Sequence, residues 1–276
     1  MTLSTRAAPS NRRLQRPAAI GAVLLLALLA GCGPLLERLA GPRLRLYTHN
    51  LHAEETILQP FAANLRAAAP DIAALQEVSQ PAADFLRAAL ADRLPYAAAR
   101  LDGGRYFGQL VLSRYPVVES QGWPHPRRLL RAVLDVDGRR VTVFNVHPAS
   151  PGNSQLDTAL RDDDIAFALE QAAREAGPTL LLGDFNLEAW SPVRQTITVR
   201  YTDLFEAVGR GPAFTYPDYS QPQARVNARF PPLTPPFLRL DYIFASRHFL
   251  PLRAQVWPDA GGSDHRPVLA EVALLP

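Results

Sequence analysis

A recurring arrangement in this sequence is a carboxylate, amide or imidazole at the end of a short apolar run. The clearest case is Gly183-Asp184-Phe185-Asn186, which closes the run Pro178-Thr179-Leu180-Leu181-Leu182. A strand alternates its side chains, so Asp184 and Asn186 are expected to leave one face while Phe185 anchors the other. A carboxylate and an amide offer hard oxygen acceptors and an amide donor, a set that suits Mg²⁺ and a phosphate it carries. Glu77 ends Asp71-Ile72-Ala73-Ala74-Leu75-Gln76 in the same manner. Both carboxylates can therefore reach one crevice at the carboxyl ends of strands. Asn50 ends a strand expected over Leu44–Asn50, and His147 follows another over Val141–Val146. Asp241 lies inside the apolar stretch Arg239–Ala245, where a charged side chain needs a partner. Asp264 and His265 follow Gly261-Gly262-Ser263, just before a final strand over Val268–Leu274. Taken singly, each has an ordinary explanation: an Asx turn, a solvated Glu, a structural His.

These residues need a scaffold of buried strands with helices between them. Thr179–Leu182 reads as a buried strand, being a continuous apolar run between Pro and Gly. Thr56–Ala69 reads as a helix with Ile57, Phe61, Leu65 and Ala68 on one face, stopped before Pro70. Pro81–Leu90 reads as a second, with Pro81 in its first turn. Phe107–Leu112 is an expected strand, followed by Ser113-Arg114-Tyr115-Pro116. Arg131–Val136 and Val141–Val146 form an expected hairpin around Asp137-Gly138. Gln155–Ala176 is the longest expected helix, with Leu156, Leu160, Ala168 and Ala172 as its inward stripe and Asp162, Asp163 and Asp164 as a solvated face. Arg161 on that helix either reaches a phosphate or lies at the surface. Gln221–Pro236 is Pro-rich and without period, so a long surface loop is expected there, able to rim a cleft.

Composition bounds the partners. Of 276 residues, 47% are hydrophobic and 20% charged, which suits one globular domain or at most two. All 29 basic residues are arginine. The sequence pI of 9.3 points to nucleic acid until the charge is located. Residues 1–32 carry four arginines and no acid, so the remainder holds 25 basic against 26 acidic side chains, a net of −1. That remainder has no bulk basic excess to attract a polyanion. The first residues have the form of an export signal: basic positions, the apolar stretch Ala18–Ala30, then small residues. They end Leu29-Ala30-Gly31-Cys32, which resembles a bacterial lipobox, where the Cys is lipidated and becomes the mature N-terminus. Cys32 is the only cysteine, so no intrachain disulfide is possible. The expected organisation is a signal peptide over 1–32, a linker over 33–42 and a catalytic domain over 43–276. The expected location is outside the cytoplasm, anchored to the cell envelope, with an uncleaved N-terminal anchor as the alternative.

Seven stretches, in order, resemble the endonuclease/exonuclease/phosphatase superfamily, also called the deoxyribonuclease-like fold. They are Thr48-His49-Asn50-Leu51-His52, Leu75-Gln76-Glu77, Leu112-Ser113-Arg114-Tyr115-Pro116, Asn145-Val146-His147, Gly183-Asp184-Phe185-Asn186, Arg239-Leu240-Asp241-Tyr242-Ile243-Phe244 and Ser263-Asp264-His265-Arg266-Pro267-Val268. The resemblance covers about Arg43 to Pro276. It implies an α+β, four-layer α/β-sandwich: two packed mixed β-sheets flanked by helices, with the site at one end. It implies that Glu77 ligates Mg²⁺ (or Mn²⁺) with help from Asn50, and that Asp264 completes the metal or water shell. Asp184 orients water or joins a metal, and Asn186 holds a phosphate oxygen or a metal water. His265 is the base or a phosphate ligand, held by Asp241, and His147 donates to the phosphate.

Three departures separate the chain from the nucleases of that superfamily. It has no evident basic DNA-binding insertion, it lacks the disulfide of secreted deoxyribonucleases, and Phe107–Leu112 holds no carboxylate to support His147. The expectation is therefore an exported, lipid-anchored, Mg²⁺-dependent phosphohydrolase, a phosphodiesterase, acting as a monomer on a phosphate ester. Its partners would be a phospholipid head group, a small phosphodiester or nucleic acid, and the membrane through the lipidated N-terminus. The alternatives are an endonuclease or exonuclease, and a catalytically silent binding domain on the same fold. Arg114 and Arg161 are candidate substrate contacts. So are the clusters Arg127, Arg128, Arg131 and Arg225, Arg229, Arg239.

Overall fold

Short apolar runs buried on both faces build the centre of two six-stranded sheets. The computed structural model describes residues 41–52, 58–101, 108–123, 128–151, 155–220, 229–231 and 234–276. Outside them lie the expected leader with Cys32, linker residues 33–40, and Thr56, Ile57, Phe107, Arg127 and Arg225. No helix among the described residues is long and apolar enough to cross a membrane.

The first sheet contains β1 (Arg43–Asn50), β2 (Ile72–Gln76), β3 (Tyr96–Arg100), β4 (Gln109–Ser113), β11 (Phe249–Val256) and β12 (Val268–Leu274), in the order β11-β12-β1-β2-β4-β3. The second contains β5 (Val117–Trp123), β6 (Leu129–Val136), β7 (Arg139–Val146), β8 (Thr179–Asp184), β9 (Tyr201–Asp203) and β10 (Asp241–Ser246), in the order β5-β6-β7-β8-β10-β9. Each sheet has one parallel pair at its centre, β1/β2 and β7/β8, with antiparallel neighbours outside it. Both sheets are thus mixed, as expected.

The alternation of side chains sorts the core into three layers. Leu46, Ile72, Ala74, Val143, Leu180, Leu182 and Ile243 meet between the sheets. Tyr47, Ala73, Leu75 and Leu110 turn outward onto α1 (Leu58–Ala68) and α2 (Gln80–Ala89) through Phe61, Leu65 and Leu86. Phe144, Leu181, Phe185 and Phe244 turn outward onto α3 (Gln155–Ala173) through Ile165, Ala168 and Ala172, and onto α4 (Pro192–Thr198) through Ile197. The short α5 (Leu204–Val208) packs Leu204 and Phe205 against the layer between the sheets.

Two expectations change. The inward stripe of α3 is Arg161, Asp164, Ile165, Ala168 and Ala172, whereas Leu156 and Leu160 are 69% and 46% exposed. Its first turns therefore cover a polar end of the sandwich rather than the apolar core. The acidic triplet is correspondingly not one solvated face: Asp164 is buried and accepts from the Ala149 amide at 3.1 Å. The other change is four strands that periodicity did not reveal, β3, β5, β9 and β11. They are the four sheet edges.

Candidate active site

Parallel pairing brings strand ends together, and here it does so twice. In the first sheet Asn50 pairs in register with Gln76, so Glu77 emerges beside Asn50. In the second, Val146 pairs with Gly183, so His147 and Asp184 emerge together. That approach is close: a Cβ on Gly183 would lie 1.8 Å from the Val146 carbonyl oxygen. The antiparallel neighbours begin where the parallel pairs end. Asp241 opens β10 directly across from Asp184, and Asp264 and His265 precede β12. All these side chains meet at one end of the sandwich, around a cleft of about 320 Å³.

The backbone aims some of them against the strand alternation. Glu77, His52 and Asn186 adopt φ of 54°, 55° and 51°, in the left-handed region. Strict alternation would send Glu77 outward with Leu75, yet its left-handed turn delivers it to the cleft. The Asn186 amide closes an Asx turn on Asp184 Oδ1 at 2.9 Å.

Asn50 Nδ2 donates to Glu77 Oε1 and to Asp184 Oδ2, both at 3.0 Å, joining the two sheets through one amide. Its Oδ1 accepts from the His52 amide at 2.9 Å. His265 Nδ1 donates to Asp241 Oδ2 at 2.9 Å, and its Nε2 lies 3.8 Å from Asp184 Oδ2. His147 Nε2 lies 3.9 Å from the same oxygen and 3.8 Å from Glu77 Oε1. Asp264 Oδ1 faces His52 Nδ1 at 3.2 Å. Asn50, Glu77, His147, Asp184, Asn186, Asp241, Asp264 and His265 thus all gather here, as the strand ends suggested.

Burial sets the charges. Glu77 is pushed up to about 7, first by burial and further by Asp264, although the Asn50 hydrogen bond opposes it. Burial also raises Asp184 and Asp264 above the ordinary carboxylate range. Burial works against charge on His265, but Asp241, Asp184 and the Asp241 hydrogen bond outweigh it and hold the imidazole well above its usual value. His147 goes the other way, down to about 4, through burial with Arg128 adding and Asp184 opposing. Its buried Nδ1 has no hydrogen-bond partner among the described residues. With no acceptor at Nδ1 and two carboxylates facing Nε2, the neutral ring carries its proton on Nε2.

The donor set fits a hard divalent cation. Three carboxylates meet at one spot, Asp184 and Asp264 buried and Glu77 partly so; all are raised chiefly by removal from water, and Asp264 Oδ1 makes no well-directed hydrogen bond among the described residues. A divalent cation at Glu77 and Asp264 would relieve that cost. Asp184, Asp241 and His265 also bring ligand atoms within 4.8 Å of one another. Nδ1 of His265 and Oδ2 of Asp241 are bonded to each other there, which leaves His265 Nε2 and Asp241 Oδ1 as the available ligand atoms.

Supports that carried no obvious signal hold the group in place. Ser263 Oγ donates to the Asn50 carbonyl at 2.6 Å and accepts from the His265 amide at 3.0 Å. The fully buried His49 is held neutral, lowered to about 3 chiefly by burial. Its Nε2 donates to the His265 carbonyl at 2.9 Å, while Tyr47 donates to its Nδ1 at 3.2 Å. A strap over Thr215–Asp218 lies against the same loop: Asp218 N donates to the Asp264 carbonyl and Arg266 N to the Thr215 carbonyl, each at 2.7 Å, and Arg266 Nε reaches Asp218 Oδ2 at 2.5 Å. The strap sets the Tyr216 ring 4.7 Å from that of His265. In place of a carboxylate, β4 supplies Gln109, which donates to the Asn145 carbonyl at 2.7 Å and accepts from Arg100 at 3.1 Å. Asn145 in turn accepts from Gln76 at 2.8 Å and donates to the Leu75 carbonyl at 2.8 Å, stitching the sheets below the site.

The candidate arginines divide. Antiparallel register pairs Ser113 with Ile72 and Gln109 with Gln76, so Arg114 emerges at the opposite end of the sheet, where it pairs with Asp71 at 3.0 Å. Arg161 is buried behind the cleft, donating to the Asn186 carbonyl at 3.2 Å and to Asp162 at 2.9 Å. Arg131 is engaged by Glu175 and Glu119, and Arg239 by Asp203 and the Tyr242 ring. Arg128 and Arg229 line the cleft.

Solved structures share this architecture. An endonuclease/exonuclease/phosphatase from Beutenbergia cavernae DSM 12333 superposes with a TM-score of 0.66 at 23% identity, over 84% of this chain and 72% of that one. Sphingomyelinase C from Streptomyces griseocarneus gives 0.63 at 23% identity, over 83% and 99%. A humanized TDP2 from D. rerio gives 0.62 at 17% identity, over 83% and 98%. No curated protein matches the chain in sequence. The model of the endonuclease/exonuclease/phosphatase family matches residues 47–265, a span that opens just before Asn50 and closes on His265. Fold, strand-end site and sequence span therefore agree, and the chain belongs to the endonuclease/exonuclease/phosphatase family.

Proposed function

We propose that this chain is a phosphodiesterase that uses Mg²⁺ (Mn²⁺ as substitute), acting as a monomer outside the cytoplasm from a lipid anchor at Cys32. The observation that supports it best is the pair of imidazoles on Asp184 Oδ2, one charged and one neutral, beside a buried cluster of acids. A phosphodiester is anionic and repels an incoming oxygen nucleophile, so its site must offset charge and hold a water in line. Mg²⁺ bound at Glu77 and Asp264 would supply charge for a phosphate oxygen. Asp184 accepts a hydrogen bond from the water, aims it at phosphorus and takes its proton as the water oxygen bonds to phosphorus and the ester P–O bond breaks; the leaving oxygen departs as an alkoxide, whose charge Mg²⁺ would offset and which takes a proton from solvent. His265, already protonated against Asp241, donates from Nε2 to the phosphate, as a ligand rather than a base. His147 donates from Nε2 as a neutral partner, and Asn186 has one amide hydrogen left after its bond to the Pro148 carbonyl at 3.2 Å.

The substrate class follows from charge. Two arginines line the cleft, and the chain beyond residue 32 has a net charge of −1. A small or membrane-borne phosphodiester needs one or two such contacts, while duplex DNA engages many and its binding falls steeply with salt. The test is a hydrolysis panel of plasmid DNA, RNA, sphingomyelin and small phosphodiesters, with and without Mg²⁺, on wild type and Glu77→Gln. The expected result is Mg²⁺-dependent turnover of a small or lipid diester that Glu77→Gln abolishes with thermal stability kept. Efficient plasmid nicking at physiological salt with tight duplex binding would replace this with a nuclease. No turnover of any substrate would leave a silent binding domain.

A further inference from the structure

The active-site cleft does not end at Asn186. A second groove of about 330 Å³ continues from it, and Pro151, Glu188 and Arg229 line both. Its far part is formed by Thr158 and Arg161 of α3 and by Trp190, Ser191 and Pro192 at the start of α4. Trp190 is 73% exposed, although an indole of this size ordinarily hides most of its surface. A lone exposed apolar residue needs no explanation. An exposed indole lining a groove that opens into a catalytic cleft is a different matter.

The turn carrying Trp190 is rigid. It is the direct continuation of Asp184-Phe185-Asn186. Phe185 and Leu187 are fully buried, and the Tyr242 hydroxyl donates to the Leu187 carbonyl at 3.1 Å. The Ser191 amide closes the turn on the Glu188 carbonyl at 2.9 Å. Arg161 braces it from behind, holding the Asn186 carbonyl at 3.2 Å and facing Glu188 at 3.6 Å. One rigid segment therefore places a phosphate-binding amide, a carboxylate and an exposed indole in order along one channel.

We infer that this groove is a subsite for one ester group of the substrate, and that the group bears a ring whose flat face packs on Trp190 while Glu188, Ser191 and Arg229 meet its polar edge. The proposal rests on the phosphodiesterase reading above and narrows it to diesters with a ring-bearing substituent. A nucleobase and a cyclic polyol both offer a face for an indole and a hydrogen-bonding edge, and an uncharged acyclic head group such as glycerol offers no such face.

Steady-state kinetics on a dinucleoside monophosphate, glycerophosphoinositol and glycerophosphoglycerol test this with wild type, Trp190→Ala and Trp190→Phe. Loss of one stacking partner is expected to raise KM about tenfold for the ring-bearing diester that is turned over, with kcat unchanged. Trp190→Phe should restore most of the loss, and glycerophosphoglycerol, uncharged and acyclic beyond its phosphate, should be insensitive. The arm that responds identifies base or polyol. An unchanged KM for both ring-bearing diesters, or an equal rise for glycerophosphoglycerol, overturns the subsite. If wild type hydrolyses none of the three, quenching of tryptophan fluorescence by thymidine 5′-monophosphate and by inositol 1-phosphate keeps the subsite testable. Quenching lost in Trp190→Ala supports it, and quenching that is absent or unchanged overturns it.

Discussion

His265 and His147 both turn Nε2 toward Asp184 Oδ2, at 3.8 Å and 3.9 Å. Both are buried at a strand end, yet they differ in charge. What stands at Nδ1 decides it. His265 has Asp241 there at 2.9 Å, and His147 Nδ1 has no hydrogen-bond partner among the described residues. Buried imidazole is neutral by default, because burial disfavours the charged ring. A carboxylate at the second nitrogen overrules that default. The pair shows that a histidine's role in this site is set by the residue behind it rather than by its own position.

The comparison breaks most sharply at Asp241. Asp241→Asn should make His265 resemble His147, neutral and poorly held, and lower kcat/KM roughly 10⁴-fold, in line with losses when a carboxylate–imidazole unit is disrupted. His265→Ala should cost about as much, and the double variant little more than either single, since the two act as one unit. A double variant whose loss is the product of the two singles would dissolve the pairing.

His147 should matter less, as one neutral donor among several. His147→Ala is expected to lower kcat about 10²-fold, the order seen for removing one hydrogen-bond donor to a developing oxyanion. His147→Gln, which keeps an N–H, should recover part of it. Full activity in His147→Ala would leave His265 without a counterpart.

A smaller effect tests the strap over His265. Burial opposes the charge on Asp218, but hydrogen bonds from Arg266 and Ser220 outweigh it and lower the carboxyl below its usual range. A depressed carboxyl stabilises the fold above its unfolded value, about 3.9, and that contribution is lost as pH falls below it. The melting temperature of wild type should exceed that of Asp218→Asn at pH 7, and the gap should close toward pH 3. A gap that widens with acid would contradict the pairing.

The legible parts of the sequence were those buried on both faces. β2 and β8 are short apolar runs, and the other central strands, β1, β7, β10 and β12, are buried along most of their length, so the polar residues at their ends stood out. The four edge strands did not. β5 is Val117-Val118-Glu119-Ser120-Gln121-Gly122-Trp123, exposed along its middle, and β3 is alanine-rich and partly exposed. One-sided burial and weak strand formers erase the apolar run. The same limit hid Gln109, Arg100 and His49, polar residues whose partners come from distant strands. Arg114 stood next to a site motif in sequence, but an antiparallel strand carries it to the other end of the sheet. The first turns of α3 misled for a related reason: its leucines had no apolar layer to meet at the polar end.

The left-handed backbone at His52 and Glu77 has an evolutionary consequence. His adopts φ near +55° more readily than Glu, so the cost of about 1 kcal/mol or more falls chiefly on Glu77. Glu77 also pays for a buried carboxyl. Without a cation present, Glu77→Asn should raise the melting temperature by about 2–4 °C while ending turnover, and a lower melting temperature would count against the strain. Selection for folding alone would push Glu77 toward Asn or Gly. A descendant released from the chemistry proposed above would relax here first.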